Sequence, residues 1–374
     1  MAVSSLLDAT RERLLGLPKA VKLILLLLAA LVAYALPLLN PPILTTPDTD
    51  FGGVLFIVTT YMLVALGLNI VVGYAGLLDL GYIGFYAVGA YTVGVLGSQH
   101  GHLSWLVCLP IAAVVAMISG VLLGAPTLRV RGDYLAIVTL GFGEIIRLTA
   151  TNADWLGASF GISNIPKPPS VDLFSVPHLV WSGGVASIDL SNKSTFLTFG
   201  VVDSVPYYWL GLTMVILVIL ADRRIKDSRV GRAWEATRED EDAAEVMGVP
   251  TFKFKLLAFA MGAFIGGLSG GLYAAYIGFI SPVSFALIFS ILFVSAVIVG
   301  GAGNRWGVMV GAIAVAYLPE RFRGFADYRV LVFGIALILL AIFRSQGLLP
   351  PRRTVRARRG ASKVESLESG AFDG

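Results

Sequence analysis

The chain is poor in the residues that build disulfide scaffolds, metal centres and soluble surfaces. It has one cysteine, Cys108, and three histidines among 374 residues. A lone cysteine excludes an intrachain disulfide and a thiolate metal cluster. His100 and His102 share a short loop and His178 lies far off, a pattern of solvated loop histidines rather than metal ligands. Charged residues are 14% of the chain, against about 25% in soluble proteins. That is too little charge to cover a globule of this length. No G-x-x-x-x-G-K-[ST] stretch occurs, and Lys193-Ser194 lacks the glycines before it. The chain therefore has no phosphate-binding loop of that kind. G-x-S-x-G, H-E-x-x-H and dinucleotide fingerprints are missing as well, which argues against an enzyme. No metal or cofactor is expected on this chain.

Hydrophobic residues supply 56% of the sequence. They form runs near or above the ~18 apolar residues of a spanning helix. The runs are 20–39, 54–72, 82–97, 104–125, 133–151, 205–221, 256–276, 286–303, 306–318 and 328–343. The reading is an all-α integral membrane protein. It is a polytopic bundle of about eight to ten spanning helices, ten being the central value, with some broken by glycine. Ala33-Tyr34-Ala35 resembles a signal cleavage site, but the 22-residue lead and a run reaching Leu39 favour an uncleaved first helix.

Charge placement orients the bundle, because Lys and Arg near membrane ends favour the cytoplasmic side. Arg11, Arg13, Lys19 and Lys22 precede the first run, and residues 222–255 hold eight Lys and Arg. Arg352, Arg353, Arg356, Arg358 and Arg359 crowd the tail. Both termini and 222–255 are therefore expected inside, and the Pro- and Ser-rich stretch 152–204 outside. Residues 1–350 read as the transmembrane domain and 351–374 as a basic, disordered cytoplasmic tail. The tail arginines have no aromatic platform beside them, so nucleic acid is not the expected partner. The loop 319–329 fits poorly, since it falls outside yet holds Arg321, Arg323 and Arg329.

Glycine is abundant at 42 residues. Four-residue spacings such as Gly262–Gly266 and Gly303–Gly307–Gly311 let helix backbones approach closely in lipid. The run 73–81, GYAGLLDLG, reads instead as a broken helix. Non-helical backbone at membrane depth is tolerated only where protein or a watery cavity surrounds it. Such breaks line substrate pathways in transporters. Gly73, Gly76 and Asp79 are therefore candidate pathway residues. Asp79 can equally sit at the cytoplasmic interface without a special role. Glu144 and Arg147 stand three apart and share a helix face. They are further pathway candidates, or a self-neutralised pair near a helix end. Asp133 reads as a helix N-cap. Tyr-Ile-Gly-Phe occurs at 82–85 and 276–279, either a trace of an internal repeat or chance.

The segment 231–250, GRAWEATREDEDAAEVMGVP, stands apart. It is charged and helix-favouring, and Gly248 and Pro250 supply a stop. Spanning a bilayer needs no such helix, whereas touching a partner in water does. One helix is expected from Arg232 to Met247, with a small-residue face and charged edges. Small residues permit close docking in a groove and edge charges set register. The alternative is a solvated helix that contacts only its own chain.

Several stretches together resemble the LivM-type permease subunits of branched-chain amino acid ABC importers. They are GYAGLLDLGYIGFYAVGAY (73–91), RVRGDYLAIVTLGFGEIIRL (129–148) and GRAWEATREDEDAAEVMGV (231–249). LLAFAMGAFIGGLSGGLYAAYIGFISPVSF (256–285), VIVGGAGNRWGVMVGA (297–312) and FRSQGLLP (343–350) complete the set. They leave out the first ~50 residues, the external loop and the tail. The resemblance implies a pore subunit paired with a homologous LivH-type permease. It implies two ABC ATPase subunits carrying ATP and Mg, and an external binding protein delivering Leu, Ile or Val. It also implies that Gly231, Arg232, Trp234, Arg238, Glu239, Asp240, Ala243, Ala244, Met247 and Gly248 belong to a coupling helix docked on an ATPase. Related permeases that carry urea or short amides are one alternative, and an ion-coupled secondary transporter is another.

Overall fold

A computed structural model describes residues 18–321 except 42–43, 46–48, 99–100, 129–133, 172–174, 183–184, 196–197 and 201–202. It also describes 334, 335, 338 and 347–349. The helices are α1 (Lys19–Leu39), α2 (Phe51–Leu68), α3 (Ile83–Gly97), α4 (Trp105–Thr127), α5 (Tyr134–Asn152) and α6 (Val205–Lys226). They continue as α7 (Arg229–Glu239), α8 (Glu241–Val246), α9 (Thr251–Ile277), α10 (Leu287–Gly300) and α11 (Arg305–Arg321). Two small antiparallel pairs join β1 (Ile162–Ser163) to β4 (Phe279–Ile280) and β2 (Ser175–Ser182) to β3 (Val185–Thr195).

Helix α2 is apolar on every side and buried on nearly every side, so it forms the axis of the bundle. It runs on into a π-helical turn, Asn69–Tyr74, that widens its last turns. Residues 75–82 then leave helical geometry while staying largely buried, and α3 begins only at Ile83. The 15 residues of α3 reach about 22 Å at 1.5 Å per residue. That is short of the ~30 Å hydrocarbon thickness, so the irregular segment supplies the rest of the crossing. The expected glycine break is thus present.

Helix α9 packs along α3 and α4 through small residues. A Cβ on Gly267 would meet the Ala116 methyl at 2.4 Å, and one on Gly270 would meet the Tyr86 carbonyl at 1.9 Å. Dense van der Waals contact of this kind holds helices together where lipid offers no hydrophobic drive. Helix α1 docks on α6 by another device. Pro37 has no N–H to give the Ala33 carbonyl, and the Tyr208 hydroxyl donates to that carbonyl at 2.8 Å. The Trp209 indole N–H donates to the Tyr34 carbonyl next to it at 2.9 Å. Ala33–Ala35 is therefore the seat of α1 on the bundle.

The bundle has two ends. At the head, Asp50, Ser204 and Tyr276 meet, β1 pairs with β4, and the Tyr317 hydroxyl bonds Leu44. The stretch 152–204 is not featureless there, since it carries the β2–β3 hairpin. At the foot lie Tyr74, the turn between α10 and α11, and the pair α7–α8. Pro319 and Arg321 fall on the head side, as the order of the runs required.

Nine of the ten apolar runs appear as described helices, and the run 328–343 lies almost wholly outside the described residues. Six described helices are long and apolar enough to cross a membrane, and Leu27–Leu39 and Ile83–Gly97 are shorter apolar helices. The chain is a multi-pass helical membrane protein. The two Tyr-Ile-Gly-Phe copies occupy unlike settings. The first opens α3 in the core, and the second ends α9, where Gly278 adopts φ +72°. They are not one structural unit. Asp133, Arg129, Arg131, His100, Arg11, Arg13 and the tail lie outside the described residues, while Lys19 and Lys22 fall in the first turns of α1.

Candidate functional site

The charged inner segment is two helices, which corrects the single helix expected from 232 to 247. Asp240 is extended, at φ −155° and ψ 110°, and its carboxylate accepts the Ala243 N–H at 2.9 Å. Aspartate is a poor interior helix residue and a strong N-cap. Glu241 and Asp242 occupy the first turn, where the helix dipole favours negative charge. The sequence thus restarts the helix at Asp240. Ser228 caps α7 in the same way, accepting the Val230 N–H at 3.1 Å. Gly248, at φ +84°, turns the chain out of α8, a conformation that favours glycine.

The two helices differ in what they face. Trp234 on α7 is fully buried, and its indole N–H donates to the Phe254 carbonyl on α9 at 2.6 Å. Ala233 and Thr237 are buried beside it. Gly231 lies against the Lys226 carbonyl, where a Cβ would come within 2.3 Å. Arg232 is exposed and reaches the Asp227 carbonyl at 3.2 Å. On α8, Ala244 is buried, whereas Ala243 is exposed and Val246 and Met247 are 87% and 83% exposed. Glu239, Asp240 and Gly248 are also exposed. Lys255 pairs with Glu241, and the Thr251 hydroxyl donates to Glu245 at 2.5 Å, so α8 is tied to the start of α9. Val246, which sequence reasoning missed, stands with Met247 at the tip.

Arg238 does not face the same way as α8. Its guanidinium donates to the Gly73 carbonyl at the foot of α2, 165 residues away. Its stem lies over Gly76, where a Cβ would come within 2.7 Å of Arg238 Cγ. Gly303 of the α10–α11 turn lies on its other side. The Gly303 N–H donates to Asn69 Oδ1 at 2.7 Å, and the Gly303 carbonyl accepts from Lys226 Nζ at 3.0 Å. Lys226 also sits 4.7 Å over the Tyr74 ring. The Tyr74 hydroxyl donates to Asp222 at 3.1 Å, and Arg305 pairs with the same carboxylate at 3.2 Å. Leu349 joins from beyond α11, its carbonyl accepting from Asn304 at 2.9 Å. Stretches 73–81, 231–249 and 297–312 therefore converge on one polar knot, with Leu349 beside them. Sequence reasoning missed Asn69, Asp222, Lys226 and Arg305. Two of them are charges near the end of a long apolar run, and that was the available signal.

Asp79 is fully buried. One of its oxygens accepts the Gly81 N–H at 2.9 Å, and the other has no hydrogen-bond partner among the described residues. The neighbouring Leu80 N–H donates to the Thr139 hydroxyl at 3.1 Å, and the Leu80 carbonyl accepts from Ser290 at 2.5 Å. Residues 79–81 are thus held between α5 and α10. Glu144 and Arg147 bond each other on α5 at 2.9 Å, with side chains 39% and 28% exposed. The pair lies on the flank of α5 and does not converge with Asp79. Among the described residues no group of His, Cys, Asp and Glu is placed to hold a metal ion.

Apolar spans around a broken central helix, joined at one end to a charged helix pair, define a polytopic transport-type membrane protein. The chain matches the family described as branched-chain amino acid transport system / permease component over residues 51–341, and it belongs to that family. It is 42% identical over 308 residues to the high-affinity branched-chain amino acid transport system permease protein LivM of Escherichia coli K12, covering 82% of this chain and 71% of the relative. A probable branched-chain amino acid transport permease protein LivM of Methanocaldococcus jannaschii is 24% identical over 340 residues, or 78% and 91% of the two chains. The permease protein LivH of Salmonella typhimurium is 25% identical over 300 residues, or 76% and 90%. No solved structure matches the chain.

Proposed function

We propose that this chain is a membrane-spanning permease subunit of an ATP-driven importer for branched-chain amino acids. The likeness to LivM proteins supports the substrate class, and the parallel likeness to LivH proteins supports a second, homologous permease as partner. ATP and Mg belong to separate ABC ATPase chains, in keeping with the missing phosphate loop. An external binding protein delivers Leu, Ile or Val at the head, and the foot faces the cytoplasm of a cell with this inner membrane. Residues 1–350 form the permease domain and 351–374 a cytoplasmic extension.

The observation that carries the coupling reading is the exposure of Val246 and Met247 on a short, capped helix at the foot. Two adjacent apolar side chains beside Asp242 and Glu245 suit an apolar groove in water. In this reading Ala243, Val246, Met247 and Gly248 enter the ATPase groove. Arg232, Glu239 and Asp240 edge it and set register. Gly231, Trp234 and Ala244 hold the helices from behind, and Arg238, itself solvent-exposed, reaches across to the Gly73 carbonyl. The pathway runs past the break at Gly73, Gly76 and Asp79, whose carboxylate suits the amino group of a zwitterion. Glu144 and Arg147 neutralise each other and keep the flank of α5 compatible with lipid.

The test is reconstitution with a LivH-type permease, the ATPases and the binding protein in vesicles. Leucine uptake is expected to require ATP and to collapse without the binding protein. Uptake driven by an ion gradient without ATP, or transport of urea in place of leucine, overturns the reading. A cysteine at Ser228 is expected to resist an impermeant thiol reagent in intact cells.

A further inference from the structure

Helix α7 is attached to the bundle at two points of different kind. Trp234 fixes it to α9 by burial and by its bond to Phe254. Arg238 fixes it to α2 by a single side chain bonded to a main-chain carbonyl. The Gly73 carbonyl needs that partner because the π-helical turn ends just after it, at Tyr74. Ala75 N–H bonds Ile70, and Leu77 N–H turns back to Val71, so neither reaches Gly73. A cradle of glycines makes the contact possible. A Cβ on Gly76 would strike the arginine stem at 2.7 Å, and one on Gly303 would come within 3.0 Å of Nη1. Gly76 and Gly303 take φ +74° and +90°, conformations that side chains rarely adopt. The broken segment of α2, the α10–α11 turn and the end of α7 are therefore shaped around one guanidinium. Arginine suits the place because its planar fork reaches a carbonyl while its stem packs.

We propose that Arg238 is the positioning residue that transmits movement of the docked α8 to the break in α2. The inference rests on the reading that α8 docks on an ATPase. Arg238 lies two residues before the cap that starts α8, so displacement of α8 moves the guanidinium first. The guanidinium holds Gly73, at the end of the widened turn. Residues 75–82 come next in the chain, and they carry Asp79 between α5 and α10. The Asn69–Gly303 bond makes the α10–α11 turn move with that segment. A coupling element must make different contacts in two states, and a single polar bond to unwound backbone can be made and broken in a way that a buried tryptophan cannot.

The experiment uses the complete reconstituted transporter with Arg238→Ala and Arg238→Lys. It measures leucine transported per ATP hydrolysed, ATPase retention in pull-down, and thermal unfolding. For Arg238→Ala, retention is expected to match the unaltered protein while transport per ATP falls about tenfold, within the 5–150-fold span of coupled sites. A purely structural defect lowers hydrolysis and uptake together and leaves their ratio intact. An unchanged ratio in the folded, assembled transporter overturns the proposal. Loss of ATPase retention also overturns it, by making Arg238 a docking contact. If the alanine variant does not fold, Arg238→Lys decides: a lowered ratio with normal retention supports the proposal, and an unaltered ratio overturns it. The docking reading fails separately, if Val246→Asp with Met247→Asp leaves the ATPase bound.

Discussion

Helices α7 and α8 are neighbours in sequence and both dense in charge, yet they face opposite ways. The first turns Ala233, Trp234 and Thr237 into the bundle, and the second leaves Ala243, Val246 and Met247 in the open. The difference arises at one residue. Asp240 takes extended backbone and caps α8, so the helical phase restarts and a new face is presented. A single helix through this segment would keep one phase throughout. Two helices allow one half to serve as anchor and the other as contact. Helix α7 is mixed in charge and α8 wholly acidic, but only burial shows which is held and which is open.

That contrast can be broken by substitution, and the expected costs to stability run downward. Trp234→Ala removes a fully buried aromatic and its bond to Phe254, so it should destabilise the protein by about 3–5 kcal/mol in thermal unfolding and lower its level in the membrane. Ala244→Arg comes next. Sequence alone placed Ala244 on the docking face, but it is buried against its own chain, so a long side chain overpacks the seat of α8 at about 1–3 kcal/mol. Loss of ATPase binding should then come with loss of stability. Glu241→Gln removes only the partly exposed pair with Lys255 and should cost ~1 kcal/mol or less, with docking retained. Val246→Asp combined with Met247→Asp should leave unfolding within about 0.5 kcal/mol, as exposed positions do. The same pair should abolish ATPase pull-down and leucine uptake, which sets the contact helix apart from the anchor.

Much of the fold was legible because spanning helices need long apolar runs whatever their partners are. The break at 73–81 was legible because three glycines and an aspartate interrupt such a run. The second cap at Asp240 was legible in principle, since Asp-Glu-Asp-Ala is an N-terminal signature, but the helix propensity of the flanking residues masked it. The knot at the foot was not legible. Arg238 and Gly73 are 165 residues apart and Asn69 and Gly303 are 234 apart, and one sequence carries no distance between them. Gly73 and Gly76 read as a helix break, Gly303 as a close-packing glycine and Arg238 as part of a docking helix, with nothing to join them. The inward turn of Ala244 was hidden for a related reason. An alanine face suits docking on a partner and packing on its own chain equally well, and only the restart of phase at Asp240 decides between them.

The central claim is that α8 meets the ATPase while α7 is held by its own bundle. Single cysteines at Ala233 and Met247, each in a Cys108→Ser background, test it by thiol cross-linking in membranes that contain the assembled transporter. The account predicts a covalent adduct with the ATPase from Met247→Cys and none from Ala233→Cys. An adduct from position 233, or none from position 247 in an assembled transporter, contradicts it.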